Sequence, residues 1–329
     1  MKTLIPTIRL SKRVSPPAVF FTAIRHAGRC LVLCLLMVPA LVMAQTASAE
    51  ASGGTAKPLR VVASFSILGD MVQVVGGPDI RLDVLVGPMQ DGHGFEPSPR
   101  DARVLGAAQV LVINGLGFET WLPRLQEASG FAGLEVVASQ GVHARMLNDG
   151  QEPDPHAWQD LRNGVQYVRN IAAGLAKADP AHASAYAARA QAYVQQLQQE
   201  DAQWRSALSA IPPSHRVLAT SHDAFGYLGA AYDIRILSLV GISSQAEPSA
   251  KDMAALLQEI RTGHVRALFL EQGSMSAALK QIASEAGVSI GGTLYADTLS
   301  AKGGQAPSYL AMFRWNTQQL LTAFSEPAK

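Results

Sequence analysis

The sequence predicts an α/β fold of two similar lobes, each a four-stranded, mainly parallel sheet flanked by helices, joined by one long rigid helix. Three observations lead there. Short β-branched runs alternate with longer Ala/Leu-rich stretches, the pattern of strands connected by crossover helices. These runs come in two sets of four. Between the sets lies one uninterrupted helical stretch.

The first set is "RVVASF" from Arg60, "RLDVLV" from Arg81, "QVLVIN" from Gln109 and "LEVVAS" from Leu134. The second is "RVLATS" from Arg216, "DIRILSL" from Asp233, "RALFLE" from Arg266 and "VSIGGTLY" from Val288. Between them Tyr186, Ala190, Tyr193, Leu197, Trp204 and Leu208 recur at intervals of three, four and seven, which puts them on one stripe of a helix. Pro212 and Pro213 end it. About 29 residues at a rise of 1.5 Å span roughly 43 Å, enough to run along both lobes. A stiff rod is a poor hinge, since flexible crossovers are rich in Gly or Ser. The lobes are placed at residues 59–180 and 212–329, with the connecting helix at 181–211.

The first 49 residues differ from the rest. They carry six basic residues (Lys2, Arg9, Lys12, Arg13, Arg25, Arg29) and no acidic ones, followed by the apolar run "CLVLCLLMVPALVMA". That order is the one expected of a secretory signal peptide cut after Ala44 or Ala49. About 14 apolar residues fall short of the roughly 20 that span a bilayer. Export to the periplasm with removal of the leader is therefore expected, with residues 50–58 as a Gly/Ala/Ser-rich linker. Beyond the leader, 21 of the 27 basic residues face all 26 acidic ones, a balance of −5. No nucleic-acid partner is expected from such a surface. Both cysteines, Cys30 and Cys34, lie in the leader, so the mature chain offers no thiolate. Cys30 precedes the apolar run and Cys34 lies inside it, positions that do not suit lipid attachment. A soluble monomer is expected.

Seven histidines remain, and three of them sit just beyond predicted strands. His93 in "QDGHGFEPSPR" follows the second strand of the first lobe. His156 in "EPDPHAWQD" lies on the long connection after the fourth. His222 in "ATSHDAFGYL" follows the first strand of the second lobe, and Asp297 in "LYADTLS" follows its last. In open α/β sheets ligands bind at the carboxyl ends of the strands. Three neutral imidazoles and one carboxylate would complete a tetrahedral shell around a borderline divalent cation, two ligands from each lobe. Taken singly, each residue has a plainer reading. A loop histidine is ordinarily solvated, and Asp297 can cap a helix starting at Thr298. Glu96, three residues after His93, does not make the HExxH arrangement of a zinc hydrolase. The weight rests on the four together.

The motifs "DGHGFEPSP", "DPHAWQD", "SHDAFGYL" and "LYADTLS" resemble the four ligand blocks of the metal-specific solute-binding proteins of ABC importers that take up zinc or manganese. The resemblance extends from "VVASFSILGDMV" near Val61 to "YLAMFRWNTQQL" near the end. It implies His93, His156, His222 and Asp297 as metal ligands, a long central helix, and an ABC permease with its ATPase in the inner membrane as partners. A periplasmic metal donor is a further possible partner. Departures are Gly92, where many relatives have proline, and Gln159 and Leu161, where leucine and proline are usual. His222 stands where manganese-selective relatives tend to carry glutamate. A third nitrogen favours zinc over manganese, which prefers oxygen-rich shells. The His/Asp-rich loop of many zinc-specific members is missing, its place taken by "GVHARMLNDGQEPD" with only His143.

The expected role is high-affinity binding of zinc as cargo, with manganese or iron as the alternative. A full protein shell leaves no position for an activated water, which argues against an enzyme. The rival is a secreted zinc hydrolase with Glu96 or Glu271 as general base. Around the site, Glu96, Asp154, Asp160, Asp223 and Glu271 are the candidates for accepting the outward ring N–H groups. Pro155 should stiffen the backbone and Trp158 cover the His156 ring. His143, His182, His215 and His264 are placed at the surface.

Overall fold

All eight predicted strands form. The structure, a computed structural model, describes residues 57–147, 150–241, 248–263, 265–272 and 277–325; the leader, the linker before Lys57 and His264 lie outside the described residues. The first sheet contains β1 (Leu59–Phe65), β2 (Ile80–Val86), β3 (Val110–Ile113) and β4 (Leu134–Val137), in the order β2-β1-β3-β4. A two-stranded hairpin follows, β5 (Met146–Leu147) and β6 (Glu152–Pro153), which periodicity could not reveal at two residues a strand. The second sheet contains β7 (Val217–Thr220), β8 (Arg235–Ser238), β9 (Ala267–Glu271) and β10 (Ser289–Leu294), in the order β10-β9-β7-β8. Every strand pair in both four-stranded sheets is parallel.

Parallel neighbours need crossovers, and helices supply them. In the first lobe these are α1 (Ser66–Gly76), α2 (Pro99–Gly106) and α3 (Leu122–Ser129). After α4 (Leu161–Ala178) and α5 (Ala183–Ser209), the second lobe uses α6 (Gly226–Tyr232), α7 (Ala250–Thr262) and α8 (Ala277–Ala286), and α9 (Tyr309–Ser325) ends the described chain. Written from the edge next to the first strand, both sheets have the same order, second-first-third-fourth. The order turns back beside the first strand, which is where a crevice opens at the carboxyl edge of such a sheet.

The connecting helix α5 has 27 residues, and Tyr186, Ala190, Tyr193, Leu197, Trp204 and Leu208 are buried along it as their spacing predicts. It packs on α4, α1 and α9. Buried Glu200 pairs with Arg314 of α9 at 2.7 Å, and Trp204 meets Tyr232 of α6 edge-on at 4.2 Å. The rod thus touches helices of both lobes along its length.

One core cluster holds the first sheet, α4, α5, α9 and one face of the second sheet, through Leu218, Phe269 and Leu294. The alternate residues Val217, Ala219 and Leu268 face a separate cluster with Leu256, Ile260 and Ile282 of α7 and α8. Period-two alternation in β7 and β9 therefore serves two cores, as expected for a sheet covered on both faces. Asp70 of α1 accepts the backbone N–H of Tyr309 at 2.9 Å, so the first lobe caps the start of α9. The Tyr309 hydroxyl donates to the carbonyl of Trp158 at 2.5 Å. Leu197→Ala empties a fully buried position on the rod and should cost about 2–5 kcal/mol of unfolding free energy, read as a lower urea midpoint.

Candidate metal centre

His93 stands on the loop after β2, and His156 starts the short 3-10 turn 157–159 that follows the β5–β6 hairpin. His222 comes two residues after β7, and Asp297 three after β10. No helix starts at Thr298; the next begins at Tyr309, so Asp297 has no capping duty there. All four sequence-predicted residues meet at one point, with one donor atom from each lying within 4.8 Å of the others.

The three rings turn their Nε2 atoms inward. His93 Nε2 and His156 Nε2 are 3.2 Å apart, and His222 Nε2 is 3.0 Å from Asp297 Oδ2. The same carboxylate lies 3.6 Å from His93 Nε2 through Oδ2 and 3.6 Å from His156 Nε2 through Oδ1. A tetrahedron with metal–ligand bonds of 2.0–2.1 Å has edges of roughly 3.3–3.4 Å. These four separations scatter about that edge, and the whole set lies within 4.8 Å. The donor set is therefore gathered close to the spacing a small divalent cation needs.

Carboxylates behind the rings set their tautomers. Asp154 Oδ1 lies 2.8 Å from His156 Nδ1, and Glu271 Oε2 lies 2.5 Å from His222 Nδ1. When the outward nitrogen alone bears the proton, as coordination requires, Nε2 has its lone pair free for the centre. Glu271 also accepts Ser221 N–H, Ser221 O–H and His222 N–H through Oε1, which pins the start of this loop. Burial pulls the His222 ring toward neutrality, but Glu271 and Asp297 outweigh it and hold its pKa well above the ordinary range. For Asp297, burial pushes upward and the His222 and His156 rings outweigh it, leaving the carboxyl well below the usual range. A pocket that stabilises positive charge on this ring will stabilise a cation in its place.

The remaining acidic candidates have other work. Asp160 caps α4 through Arg162 N–H and pairs with the Arg162 guanidinium, while Glu96 lines a surface groove with Phe95 and Trp121. Asp223 faces Arg145 at 3.5 Å. That arginine, unflagged by the sequence reading, also donates to Asp154 Oδ2 at 2.6 Å. It therefore joins the carboxylate behind His156 to the residue beside His222. Gly226 leaves room for it: a Cβ there would lie 2.0 Å from Arg145 Nη1. With neutral rings, Asp154, Asp223, Glu271 and Asp297 against Arg145 give four negative charges and one positive, a balance of −3. A divalent cation offsets most of that negative charge. The excess positive charge expected of three imidazoles, one aspartate and an ion is thus relieved by carboxylates at the predicted positions 154 and 271.

A second set missed from sequence braces the His93 loop. Trp121 Nε1 donates to Gly92 O at 3.0 Å, and the His93 ring packs edge-on against Phe118 at 4.8 Å. Phe118 is placed by its neighbour Glu119, whose buried carboxylate accepts Asn114 N–H, Gly115 N–H and Ser64 O–H. Asn114 in turn donates to Pro155 O at 2.9 Å, beside His156. Only "NGLGFETW", a glycine-rich stretch carrying an acid and two aromatics after a strand, hinted at this. Trp158 is fully buried, 5.3 Å from the His156 ring and tilted 67° to it, so it excludes water as expected.

The family model of the zinc-uptake complex component A, periplasmic, matches residues 61–323. The chain belongs to this family. Zinc-uptake component A proteins are metal-binding solute-binding proteins of ABC transporters, not enzymes, and the hydrolase alternative is set aside. Among relatives, the manganese-binding lipoprotein MntA of Halalkalibacterium halodurans is 30% identical over 294 residues, 89% of this chain and 97% of that one. The iron-binding protein YfeA of Yersinia pestis is 30% identical over 275 residues, 83% and 88% of the two chains. The periplasmic zinc-binding protein TroA from Treponema pallidum has the same fold, with a TM-score of 0.78, 29% identity and coverage of 82% and 100%. No helix among the described residues is long and apolar enough to cross a membrane. Asp154→Ala leaves the four inward donors in place but frees the His156 ring, and should weaken metal binding about 10- to 100-fold in a chelator-competition titration.

Proposed function

We propose that this member of the zinc-uptake component A family captures a zinc ion in the periplasm and hands it to the permease and ATPase of an ABC importer. His93, His156, His222 and Asp297 are the four ligands in this reading. The observation that carries it is the convergence of three imidazole nitrogens and one carboxylate within 4.8 Å, backed by carboxylates whose negative charge a divalent ion offsets. Three nitrogen donors favour zinc, because manganese prefers a shell of oxygens. Residues 59–180 and 212–329 act as two carriers of two ligands each, held by the helix at 181–211. Docking on the permease parts them.

Manganese or iron on the same residues is the second reading, and the relatives' names favour it: manganese-binding in MntA, iron-binding in YfeA. Those relatives include lipoproteins, whereas Cys30 and Cys34 of this chain fall outside the described residues. Mass spectrometry of the mature periplasmic protein after purification, followed by competition between zinc and manganese, separates the readings: zinc retained against excess manganese supports the first, the reverse the second. His222→Ala removes a nitrogen donor and leaves Glu271 and Asp297 facing one another without it. It should weaken zinc binding by orders of magnitude, and an unchanged affinity in a competition titration would sink the ligand assignment.

A further inference from the structure

The carbonyl of Ala296, one residue before Asp297, receives two hydrogen bonds from the turn that follows His156. Trp158 Nε1 donates at 2.9 Å and Gln159 Nε2 at 2.7 Å. Both donors belong to the first lobe and the acceptor to the second. All three groups are shut away from water, with Trp158 and Gln159 fully buried and Ala296 2% exposed. One donor already meets the usual requirement of a buried carbonyl, though its two lone pairs can take both. The second comes from a side chain that is poorly served otherwise: Gln159 Oε1 is buried and has no hydrogen-bond partner among the described residues. An unpaired buried acceptor is destabilising, and an apolar side chain of the same shape would carry no such penalty. The one hydrogen bond this carboxamide makes among the described residues is the bond across to Ala296.

We propose that Gln159 is a positioning residue for cargo retention: with Trp158 it ties the peptide carrying Asp297 to the turn carrying His156. The ligands of the two lobes then separate only when two bonds to one carbonyl break together. The proposal rests on the metal-binding reading above. The bracket it describes is short and stiff. From His156 to Gln159 the chain is a 3-10 turn closed by Gln159 N–H on His156 O at 3.0 Å, and Ala296 is bonded directly to Asp297. In a buried, low-dielectric setting each of these bonds is strong, so each lost bond is felt as easier opening.

The test uses zinc as the probe. The mature wild-type chain, Gln159→Met, Trp158→Phe and the double variant are loaded with zinc and mixed with excess chelator, and release is followed by stopped flow. Methionine keeps the length and bulk of glutamine and drops both polar atoms. Gln159→Met should release zinc about tenfold faster, while its metal-free form melts at the same temperature or higher. Trp158→Phe should also speed release, and the double variant, which removes both bonds to the carbonyl, should release zinc faster than either single variant. Release from Gln159→Met within twofold of wild type, with only the metal-free melting temperature changed, would mean a merely structural glutamine and overturn the proposal. A wild-type chain that retains neither zinc nor manganese would instead overturn the metal-binding reading, so the two failures are distinct.

Discussion

A divalent cation gives up its water only to donors that are already gathered, because gathering them at the moment of binding would consume much of the binding free energy. In this chain the gathering is done by packing. One face of the second sheet, the whole first sheet and the helices α4, α5 and α9 share a single core, which turns the carboxyl ends of both sheets toward each other. Three imidazoles and a carboxylate then meet without any of them leaving its own loop. Were that shared core divided, the same residues would be scattered loop side chains.

The two layers of support behind the donors do different things. Asp154 and Glu271 orient rings and supply charge, and each is itself held: Asp154 by Arg145, Glu271 by Ser221 and the His222 backbone. The Asn114–Glu119 loop supplies shape, propping Phe118 and Trp121 under the His93 loop and fastening Pro155 beside His156. Glu119 is a carboxylate whose pKa burial raises, with backbone and Ser64 hydrogen bonds only partly opposing that. Its place is thus sustained by the bonds it accepts.

Much of this was legible before any coordinates. The strands could be read because each is a β-branched run long enough to alternate, and the rod because its apolar stripe is long and bounded by prolines. The candidate donors could be read because each follows a strand by only a few residues. Legibility failed where the determining contact is between distant segments. Arg145 carries no local sign that it will lie between Asp154 and Asp223, and Glu119 looks like any acid in a glycine-rich loop. Strand edges also slipped: β8 begins at Arg235 because Asp233 takes a left-handed conformation, φ 55°, that closes α6. The hairpin of β5 and β6 is too short for periodicity to register. For Asp297 the helix-cap reading was reasonable locally, and only the course of the chain to Tyr309 removes it.

The two sheets repeat one topology, yet they do not present equal hands to the centre. The first contributes two imidazoles, with Asp154 and Arg145 offsetting each other behind them. The second contributes an imidazole and the carboxylate, with Glu271 behind them. Coulomb attraction for a cation is therefore lopsided, and under the proposed release an ion would shed its imidazole donors of the first half before it left the anionic half. Departure would follow an order written in charge, with the C-terminal portion of the chain as the last to let go.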